Sequence, residues 1–413
     1  MADTTSDYLL QRIYDWGVRL IYGFPGDGIN GILGALDRAK DRIRFIQSRH
    51  EELAAFSACA HAKFTGQVGV CMATSGPGAI HLLNGLYDAK KDHQPVVAIV
   101  GQSATFALGA DFQQEVDLQT LFKDVADRYV GAVQSPVAVR HVVDQAFRIA
   151  IAERRHRQWS ARGAPVELLD AGQVRQMLGS DAWYGGFWNR SGGHVNPLAL
   201  ARGLARAAVD AGARIHGQTP ALYFTHRDGR WVVDTPSGSV SARALVLATN
   251  AYTGEFSSTL HRRIAQELVP VLSWQMATQP LPDEVRATVI PGRQAMSDTH
   301  GDLHFGRYDA RNRFVTGGAI LLPIDRVGRL KWMIGARLKR LWPQIGEPRF
   351  DYVWNGYVGM TRDFMPRFHR LGPDGWAWAG CNGRAVGLSV ALGREFAKAV
   401  QGVPENELAL PFG

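Results

Sequence analysis

Glycines and an acidic residue near the N-terminus have the spacing of a nucleotide-binding site. Residues 26–31, Gly-Asp-Gly-Ile-Asn-Gly, fit the G-x-G-x-x-G pattern, and Glu51 follows about twenty residues later, as a ribose-binding carboxylate would. In that motif, backbone amides at a helix N-terminus bind a pyrophosphate. Two details disfavour this interpretation. Pro25 stiffens the turn before the first glycine, and Glu51 lies at the start of a predicted helix rather than at the end of the second strand.

A longer series of motifs runs through the same part of the chain. In order, they are Gly-Phe-Pro-Gly-Asp at 23–27, Arg-His-Glu-Glu-Leu-Ala-Ala at 49–55, Thr-Ser-Gly-Pro-Gly-Ala at 74–79, Asn-Gly-Leu-Tyr-Asp at 84–88 and His-Gln-Pro-Val-Val-Ala-Ile-Val-Gly-Gln at 93–102. Together these motifs resemble the pyrimidine-binding domain of the thiamine-diphosphate enzymes of the pyruvate oxidase and acetolactate synthase group. Residues 112–115, Phe-Gln-Gln-Glu, are similar to the Phe-Gln-Glu segment near the reacting centre of those enzymes, with Phe112 one position early.

The resemblance implies a catalytic role for Glu51. Thiamine diphosphate reacts through the carbanion of its thiazolium ring, and a buried carboxylate against the pyrimidine nitrogen favours the imino tautomer that removes the proton. Glu51 is that carboxylate by resemblance, whereas taken alone it would stabilise a helix N-terminus through the dipole. His50 and His81 are interpreted as ordinary polar neighbours. The cofactor-binding residues implied by the resemblance are Gly26, Glu51, Ser75, Gly76, Pro77, Gly78, Asn84 and Gln114.

The resemblance covers only half of a thiamine diphosphate site. Enzymes of that group bind the diphosphate through Mg²⁺ in a second domain, at a Gly-Asp-Gly that is followed by an asparagine. The Gly-Asp-Gly of this chain, residues 26–28, belongs to the first domain, and no suitable asparagine follows it. The sequence therefore predicts the pyrimidine half-site alone, no Mg²⁺ site, and no carbon–carbon chemistry by this chain on its own.

Six ordered segments of the C-terminal part carry a second resemblance. They are Ser-Gly-Gly-His-Val-Asn-Pro at 191–197, Arg-Ala-Leu-Val-Leu-Ala-Thr-Asn-Ala-Tyr at 243–252, His-Phe-Gly-Arg-Tyr at 304–308, Thr-Gly-Gly at 316–318, residues 354–363, and Gly-Cys-Asn-Gly-Arg-Ala-Val-Gly-Leu-Ser at 380–389. From Ala161 onward the chain resembles the glycine and D-amino-acid oxidase family of FAD-dependent enzymes, most closely its γ-glutamylputrescine-oxidase-like members. In that chemistry the flavin accepts a hydride from a C–H bond next to nitrogen.

The second resemblance also assigns residues. Arg307 is the candidate anchor of a substrate carboxylate, because a guanidinium offers a fork of donors; the alternative is a surface arginine in a hairpin. Trp274 and His194 either line the pocket or belong to the core. The residues implied to surround FAD are Ala221, Thr249, Asn250, Gly380, Asn382, Gly383 and Gly387. The expected substrate is a small amine or amino acid.

The FAD site implied in this way is incomplete. The family begins with a strand–G-x-G-x-x-G–helix unit that binds the FAD pyrophosphate, and here the thiamine-type segment stands in its place. Predicted strands at 245–248 and 376–379 lack the strand that they normally flank, and exposed apolar edges of that kind favour aggregation or docking. The sequence therefore leaves three functions open: an amine or amino-acid oxidase, a thiamine-diphosphate-binding or dimerising module, and an inactive hybrid of two truncated enzymes.

Short helices and strands must position these residues. Four apolar segments alternate with helical patterns, at 19–24, 44–47, 68–74 and 95–100. Continuous apolar strands followed by helices are typical of a parallel sheet covered on both faces. Hairpin patterns appear later, most clearly at 221–235. The prediction is an α/β chain with a thiamine-diphosphate-type domain at 1–153, a polar junction at 154–163 and a truncated α+β FAD-dependent oxidase domain at 164–413.

The composition fits a chain of two or three domains. The 413 residues are 46% hydrophobic and carry a net charge of +8. The arginines are scattered rather than clustered, so we expect no nucleic-acid partner. Three cysteines without metal-ligand spacing indicate free thiols in a reducing compartment. The lack of a long apolar run and of a signal-like N-terminus predicts no membrane association and a cytoplasmic location. The first resemblance implies a homo-oligomer formed through the N-terminal domain.

Overall fold

The computed structural model of the chain describes residues 4–254, 260–298, 304–320 and 324–410. The chain divides into two compact units. Unit 1 comprises residues 1–193 and 287–292, and unit 2 comprises residues 194–286 and 293–413. Every candidate site residue named above lies within the described ranges.

A parallel sheet forms the centre of unit 1. Its strands are β1 (Leu20–Gly23), β2 (Arg44–Gln47), β3 (Gly69–Ala73) and β4 (Val96–Val100), hydrogen-bonded in the order β2-β1-β3-β4. The pairings are all parallel, which confirms the sheet predicted from the four apolar segments. A separate antiparallel pair joins β5 (Val166–Asp170) to β6 (Gly185–Asn189).

Helices flank the parallel sheet. The helices of unit 1 are α1 (Thr5–Asp15), α2 (Asn30–Arg38), α3 (Glu51–Thr65), α4 (Pro77–His81), α5 (Leu83–Lys91), α6 (Leu118–Phe122), α7 (Val139–Ser160) and α8 (Ala171–Leu178). Helix α8 packs against β5 and β6 rather than against the parallel sheet. Helix α1 begins with a capping box, because the Thr4 hydroxyl accepts from Asp7 N and the Asp7 carboxylate accepts from Thr4 N. Helix α3 ends at Gly66, whose φ of 70° lies in the left-handed region that favours glycine.

Strand β3 shows that both faces of the sheet are covered. Val70 and Met72 pack in a cluster with side chains of α1, α2 and α7, whereas Cys71 and Ala73 pack in a cluster with side chains of α3, α5 and α6. Neighbouring residues of a strand point to opposite faces, so the sheet is buried between two helical layers. This burial explains why the strand segments are apolar without alternation.

Helix α7 extends into the junction predicted from the sequence. Residues 154–160 form its last turns, and β5 and β6 of the following segment pack against it. Unit 1 accordingly continues to Gly193. The limit between the two enzyme halves at 154–163 stays a prediction, but most of that stretch is helical rather than an extended linker.

The described residues of unit 2 form three sheets. One is an antiparallel meander of β7 (Tyr223–Arg227), β8 (Arg230–Thr235) and β9 (Gly238–Ala242). The predicted hairpin is confirmed there, and its turn residues Asp228 and Gly229 have φ values of 52° and 71°. A second sheet has the order β10-β17-β16, from β10 (Leu245–Leu247), β16 (Arg367–Gly372) and β17 (Gly375–Ala379), with β10 parallel to β17.

The third sheet of unit 2 is antiparallel and has five strands. They are β11 (Val269–Pro280), β12 (Met296–Ser297), β13 (Phe305–Tyr308), β14 (Arg313–Gly318) and β15 (Phe350–Met360), in the order β12-β13-β14-β11-β15. The helices of unit 2 are α9 (Pro197–Asp210), α10 (Arg262–Gln266), α11 (Asp283–Arg286), α12 (Arg326–Leu341) and α13 (Ala385–Val400). Helix α13 buries Leu392 and Phe396 in a cluster with Trp376 and Trp378 of β17, so the apolar strand and the helix stabilise each other.

A buried ion pair connects α1 to α7 in unit 1. Arg12 Nε and Nη2 donate to the Asp144 carboxylate at 2.5 and 3.0 Å, and Trp16 Nε1 donates to it at 2.9 Å. Only 5% of Asp144 is exposed. Burial raises the pKa of the Asp144 carboxyl, but the hydrogen bonds from Arg12 and Trp16 outweigh burial, so its pKa lies below the ordinary value.

Replacing Asp144 tests this contact. Asp144→Asn leaves the Arg12 guanidinium beside a neutral group, and we expect the free energy of unfolding at pH 7 to fall by about 2–3 kcal/mol in urea denaturation. Asp15→Asn is the control, because Asp15 is 3.5 Å from Arg12 but its side chain is 44% exposed; its loss should stay below about 0.5 kcal/mol.

The effect of Asp144→Asn should also depend on pH. Because the folded-state pKa of Asp144 is lowered, its stabilisation is present above the pKa of the unfolded chain and is lost as the pH falls through the folded value. The stability gap between wild type and Asp144→Asn should therefore narrow in acid. Equal losses for the two variants, or a gap that widens in acid, would contradict the assignment.

Candidate functional sites

The glycine turn after β1 packs against the turn after β3. β1 leads into a 3₁₀ turn at Asp27–Ile29 and then into α2. Gly28 N donates to Thr74 Oγ1 at 2.9 Å. A Cβ at Gly26 would lie 2.5 Å from Thr74 Cβ, and a Cβ at Gly28 would lie 2.7 Å from Ser75 Oγ. Both positions therefore need glycine, because Thr74 and Ser75 pack against the backbone there. That residues 26–31 do not bind a dinucleotide stays a prediction.

Glu51 is buried in the first turn of α3. Only 7% of the residue is exposed, and carboxylates are rarely buried without partners. Its Oε2 lies 3.1 Å from His81 Nδ1, and its Oε1 lies 3.3 Å from the position of a Cβ on Gly78. The carboxylate therefore faces the turn after β3, beside the residues that the first resemblance groups with it.

Gln114 packs on the same turn. Ser75 Oγ and Gln114 Oε1 are 3.1 Å apart. Gly76 has a φ of 59°, and a Cβ there would meet Gln114 O at 2.8 Å, so this position needs glycine. Pro77 begins α4, where a missing amide hydrogen costs nothing. In the 112–115 segment, Gln114 contacts the turn, whereas the aromatic residue, Phe112, is exposed.

The structure brings most of the residues assigned to the pyrimidine half-site together. The turns after β1 and β3 contain Gly26, Ser75, Gly76, Pro77 and Gly78. Glu51, in the first turn of α3 after β2, and Gln114, after β4, lie against the turn after β3. Asn84 lies one helix further on, and its Nδ2 donates to Glu52 Oε1 at 2.8 Å rather than to Glu51. Thr74 lies inside the 74–79 motif but was not predicted as a site residue, and the histidines beside Glu51 were predicted to be ordinary polar neighbours.

In unit 2, Asn250 closes the turn between β17 and α13. Asn250 follows β10, and parallel pairing puts the carboxyl ends of β10 and β17 at one edge of the sheet, where α/β proteins bind ligands. Its Oδ1 accepts hydrogen bonds from Gly380 N at 2.9 Å and Cys381 N at 3.2 Å. Two backbone donors of this glycine-rich turn are thus bound by a side chain of the protein.

Asn382 and Thr361 hold the same turn. Asn382 Oδ1 accepts from Thr361 N at 2.8 Å, and Asn382 Nδ2 donates to Gly380 O at 2.9 Å. Thr361 Oγ1 in turn donates to Met365 O at 2.8 Å. Thr361 was not predicted as a site residue, and its signal in the sequence is only a polar residue directly after a long strand. The side chains of Asn250 and Asn382 therefore stabilise the turn through hydrogen bonds to its backbone.

The N-terminus of α13 differs from this closed turn. Gly383 has a φ of 72°, and Arg384 at the N-cap makes no side-chain capping bond. The first amides of a helix without a side-chain cap are free to bind an anionic group. Gly387 lies within the first turn of α13 and is exposed, so its backbone is accessible.

Two further residues assigned to FAD lie close to β10. Ala221 packs against the cluster that contains Leu247 and Ala377, beside the β10–β17 pair. Thr249 Oγ1 lies 2.8 Å from Thr253 Oγ1, so this hydroxyl binds within its own turn. Their predicted contacts with a nucleotide stay predictions.

Arg307 lies on β13 of the five-stranded sheet. It is half-buried, and its Nη1 donates to Val195 O at 2.6 Å. Burial and the positive charges of Arg307 and Arg293 lower the pKa of His194, the residue before Val195. Trp274 is buried in β11, in agreement with a core residue. The role of Arg307 as a carboxylate anchor stays a prediction.

Comparison with known proteins defines the class of this chain. The family model described as FAD dependent oxidoreductase matches residues 73–399, well over half of the sequence, and the chain belongs to that family. The model described as thiamine pyrophosphate enzyme, N-terminal TPP binding domain, matches residues 3–121. The chain thus combines segments that match the two enzyme families indicated by its motifs. The two matches overlap at 73–121, which includes the glycine turn after β3.

Particular relatives fall into the same two groups. The chain is 44% identical to pyruvate oxidase of Lactiplantibacillus plantarum over 169 residues, which are 41% of this chain and 26% of the relative. It is 32% identical to probable oxidoreductase OrdL of Haemophilus influenzae over 241 residues, 58% of this chain and 55% of the relative. It is 28% identical to γ-glutamylputrescine oxidoreductase of Escherichia coli over 260 residues, 63% of this chain and 60% of the relative.

These shares limit what the relatives imply. The chain spans about a quarter of the pyruvate oxidase and somewhat more than half of the two oxidoreductases. Their complete activities therefore do not transfer to it directly. In the part of the chain that the structure describes, no helix is both long and apolar enough to cross a membrane.

Proposed function

We propose that this family member acts on small amines or amino acids through its oxidoreductase part. The relative from Escherichia coli supports this substrate class by its name, γ-glutamylputrescine oxidoreductase. The half-buried guanidinium of Arg307 supports it from the structure, because a planar fork of donors suits a carboxylate. Among the described residues, its Nη1 donates to Val195 O.

We also propose that the FAD site of the chain is incomplete. The part of the site expected to bind the flavin end of FAD has suitable hydrogen-bond donors. The N-terminus of α13 lies at the carboxyl edge of β10 and β17 and has no side-chain cap, so its first amides can bind an anionic group. The part expected to bind the pyrophosphate lacks such donors. Within the described residues β10 pairs on one side only, and the amide of Gly28 in the G-x-G-x-x-G turn is bound by Thr74 in unit 1. The residues therefore do not fit the whole cofactor.

The first expected outcome concerns colour. A charged hydrogen bond contributes on the order of 1.5–3 kcal/mol, so losing the set that binds a pyrophosphate weakens FAD binding by several powers of ten. The purified chain should be colourless, and FAD added at micromolar concentration should keep its free fluorescence. A yellow preparation with stoichiometric flavin would contradict the incomplete site while leaving the substrate class open.

The second expected outcome concerns Arg307. With FAD supplied in large excess, oxygen consumption should be followed with glycine, sarcosine, D-amino acids and putrescine derivatives. If Arg307 binds a carboxylate, Arg307→Ala should raise KM for amino acids about tenfold or more and change KM for simple amines little. Arg311→Ala is the control, because Arg311 is exposed in the turn after β13. No turnover of any amine or amino acid, even with saturating FAD, would refute the oxidoreductase proposal.

A second candidate function belongs to unit 1. The buried Glu51 carboxylate, aimed at the turn after β3, favours binding of the pyrimidine ring of thiamine diphosphate, with dimerisation through this unit as the related alternative. We propose this role as binding without complete catalysis, since the chain carries the pyrimidine half of such a site.

Neighbouring glutamates test this role. Calorimetry in the presence of EDTA should show that thiamine diphosphate binds to the wild-type chain. Glu51→Gln should raise the Kd about tenfold or more, because a neutral amide cannot favour the protonated pyrimidine nitrogen. Glu52→Gln should bind like wild type, since the Glu52 side chain contacts Asn84 on the helix surface. Equal affinity in both variants would exclude Glu51 as the pyrimidine partner.

A further inference from the structure

Two histidines without an assigned role meet at the buried carboxylate of Glu51. His50 is the N-cap residue of α3, and His81 is the last residue of α4. One ligand atom from each of the three side chains lies within 4.8 Å of the other two. The helices α3 and α4 follow β2 and β3 of one parallel sheet, so residues thirty positions apart come together at the carboxyl edge of its strands.

The carboxylate is fixed, whereas the imidazoles have room to move. Glu51 Oε2 is 3.1 Å from His81 Nδ1. The rings of His50 and His81 have centroids 4.4 Å apart and are inclined by 32°, with side chains 46% and 43% exposed. A tetrahedral ion with bonds of about 2.0–2.1 Å holds its ligands about 3.3 Å apart. The Glu51–His81 pair is already near that separation, and a rotation of the His50 side chain brings in the third ligand.

The hydrogen bonds of the two histidines do not oppose such a rotation strongly. The capping contact from Glu52 N to His50 Nδ1 is 3.3 Å long, beyond the usual range for a strong N–H donor. His81 Nδ1 is the nitrogen that faces Glu51, and in the tautomer with the proton on Nε2 its lone pair points to the same space as the carboxylate oxygen. The ligand atoms of the two imidazoles lie within 4.8 Å of the carboxylate oxygen, so the cluster combines two nitrogen donors with one carboxylate.

We propose that His50, Glu51 and His81 bind a divalent transition-metal ion, with Zn²⁺ as the representative ion. Two imidazoles and a carboxylate form a donor set found in zinc sites that keep a fourth position open for water or another ligand. Mg²⁺ and Ca²⁺ take oxygen ligands and are not favoured by this set. The proposal is independent of the oxidoreductase function. It uses the same Glu51 carboxylate that the second candidate function assigns to the pyrimidine ring, so the ion and the ring are alternative partners of this group.

Metal titration of the full chain tests the proposal. The protein is prepared without an affinity tag, stripped with EDTA and titrated with Zn²⁺ in a calorimeter, and with Co²⁺ under visible absorbance. We expect one ion per chain with a Kd of about micromolar or tighter. His50→Ala and His81→Ala should each raise Kd about tenfold or more, which is a loss of about 1.4 kcal/mol, and the double variant should lose the Co²⁺ absorption. His61→Ala is the matched control, since His61 also belongs to unit 1 but pairs with Tyr22.

The remaining thiols near this region should not compete for the ion. Burial raises the pKa of both Cys59 and Cys71 to about 12, so they stay protonated at neutral pH. His50→Gln and His81→Gln, checked by circular dichroism, replace any alanine variant that does not fold. Stoichiometric binding that is lost in the histidine variants and kept in His61→Ala supports the site. Equal Zn²⁺ affinity in the wild type, the double variant and His61→Ala, which would mean an adventitious ion only, overturns it.

Discussion

The positions of the candidate sites depend on the register of two parallel strand pairs, β1–β3 in unit 1 and β10–β17 in unit 2. In unit 1, Gly23 lies opposite Met72, so the turns that follow β1 and β3 pack on each other. In unit 2, Leu247 lies opposite Ala377, so Asn250 reaches the amides after β17. Parallel strands end at one edge of a sheet, and the helices that follow them begin there. A slip of one residue would point every side chain of the strand to the opposite face and separate these contacts.

The strand that leads to the candidate site is less enclosed in unit 2 than in unit 1. In unit 1, β1 has a strand neighbour on each side, and both of its faces are covered by helices. In unit 2, β10 is the edge of its sheet within the described residues, and Val246 at its centre is exposed. An edge strand has amides and carbonyls without a strand partner on one side, whereas the turn beyond it is closed by Asn250 and Asn382. Side chains of the protein therefore hold this turn in place.

Burial of Glu51 links structure and chemistry in unit 1. A carboxylate at a helix N-terminus gains from the helix dipole, but this carboxylate is also removed from water and so needs a partner. His81 supplies that partner in the structure, while the first resemblance assigns a pyrimidine ring to the same group. Both uses depend on one feature, a charged group fixed at the edge of a parallel sheet. The backbone around it is kept close by Gly78, where a side chain would approach the carboxylate.

The sequence alone determined the parallel sheet, the 221–235 hairpin and the position of Glu51 at a helix start, because these features follow from local apolar patterns, turn residues and ordered motifs. It also indicated both enzyme families. Only the tertiary structure showed that α7 continues into the predicted junction, since helix length there depends on packing against β5 and β6. Contacts such as Asn250 with Gly380, or His81 with Glu51, join residues far apart in the chain, and their geometry depends on strand register and helix rotation that no local pattern encodes.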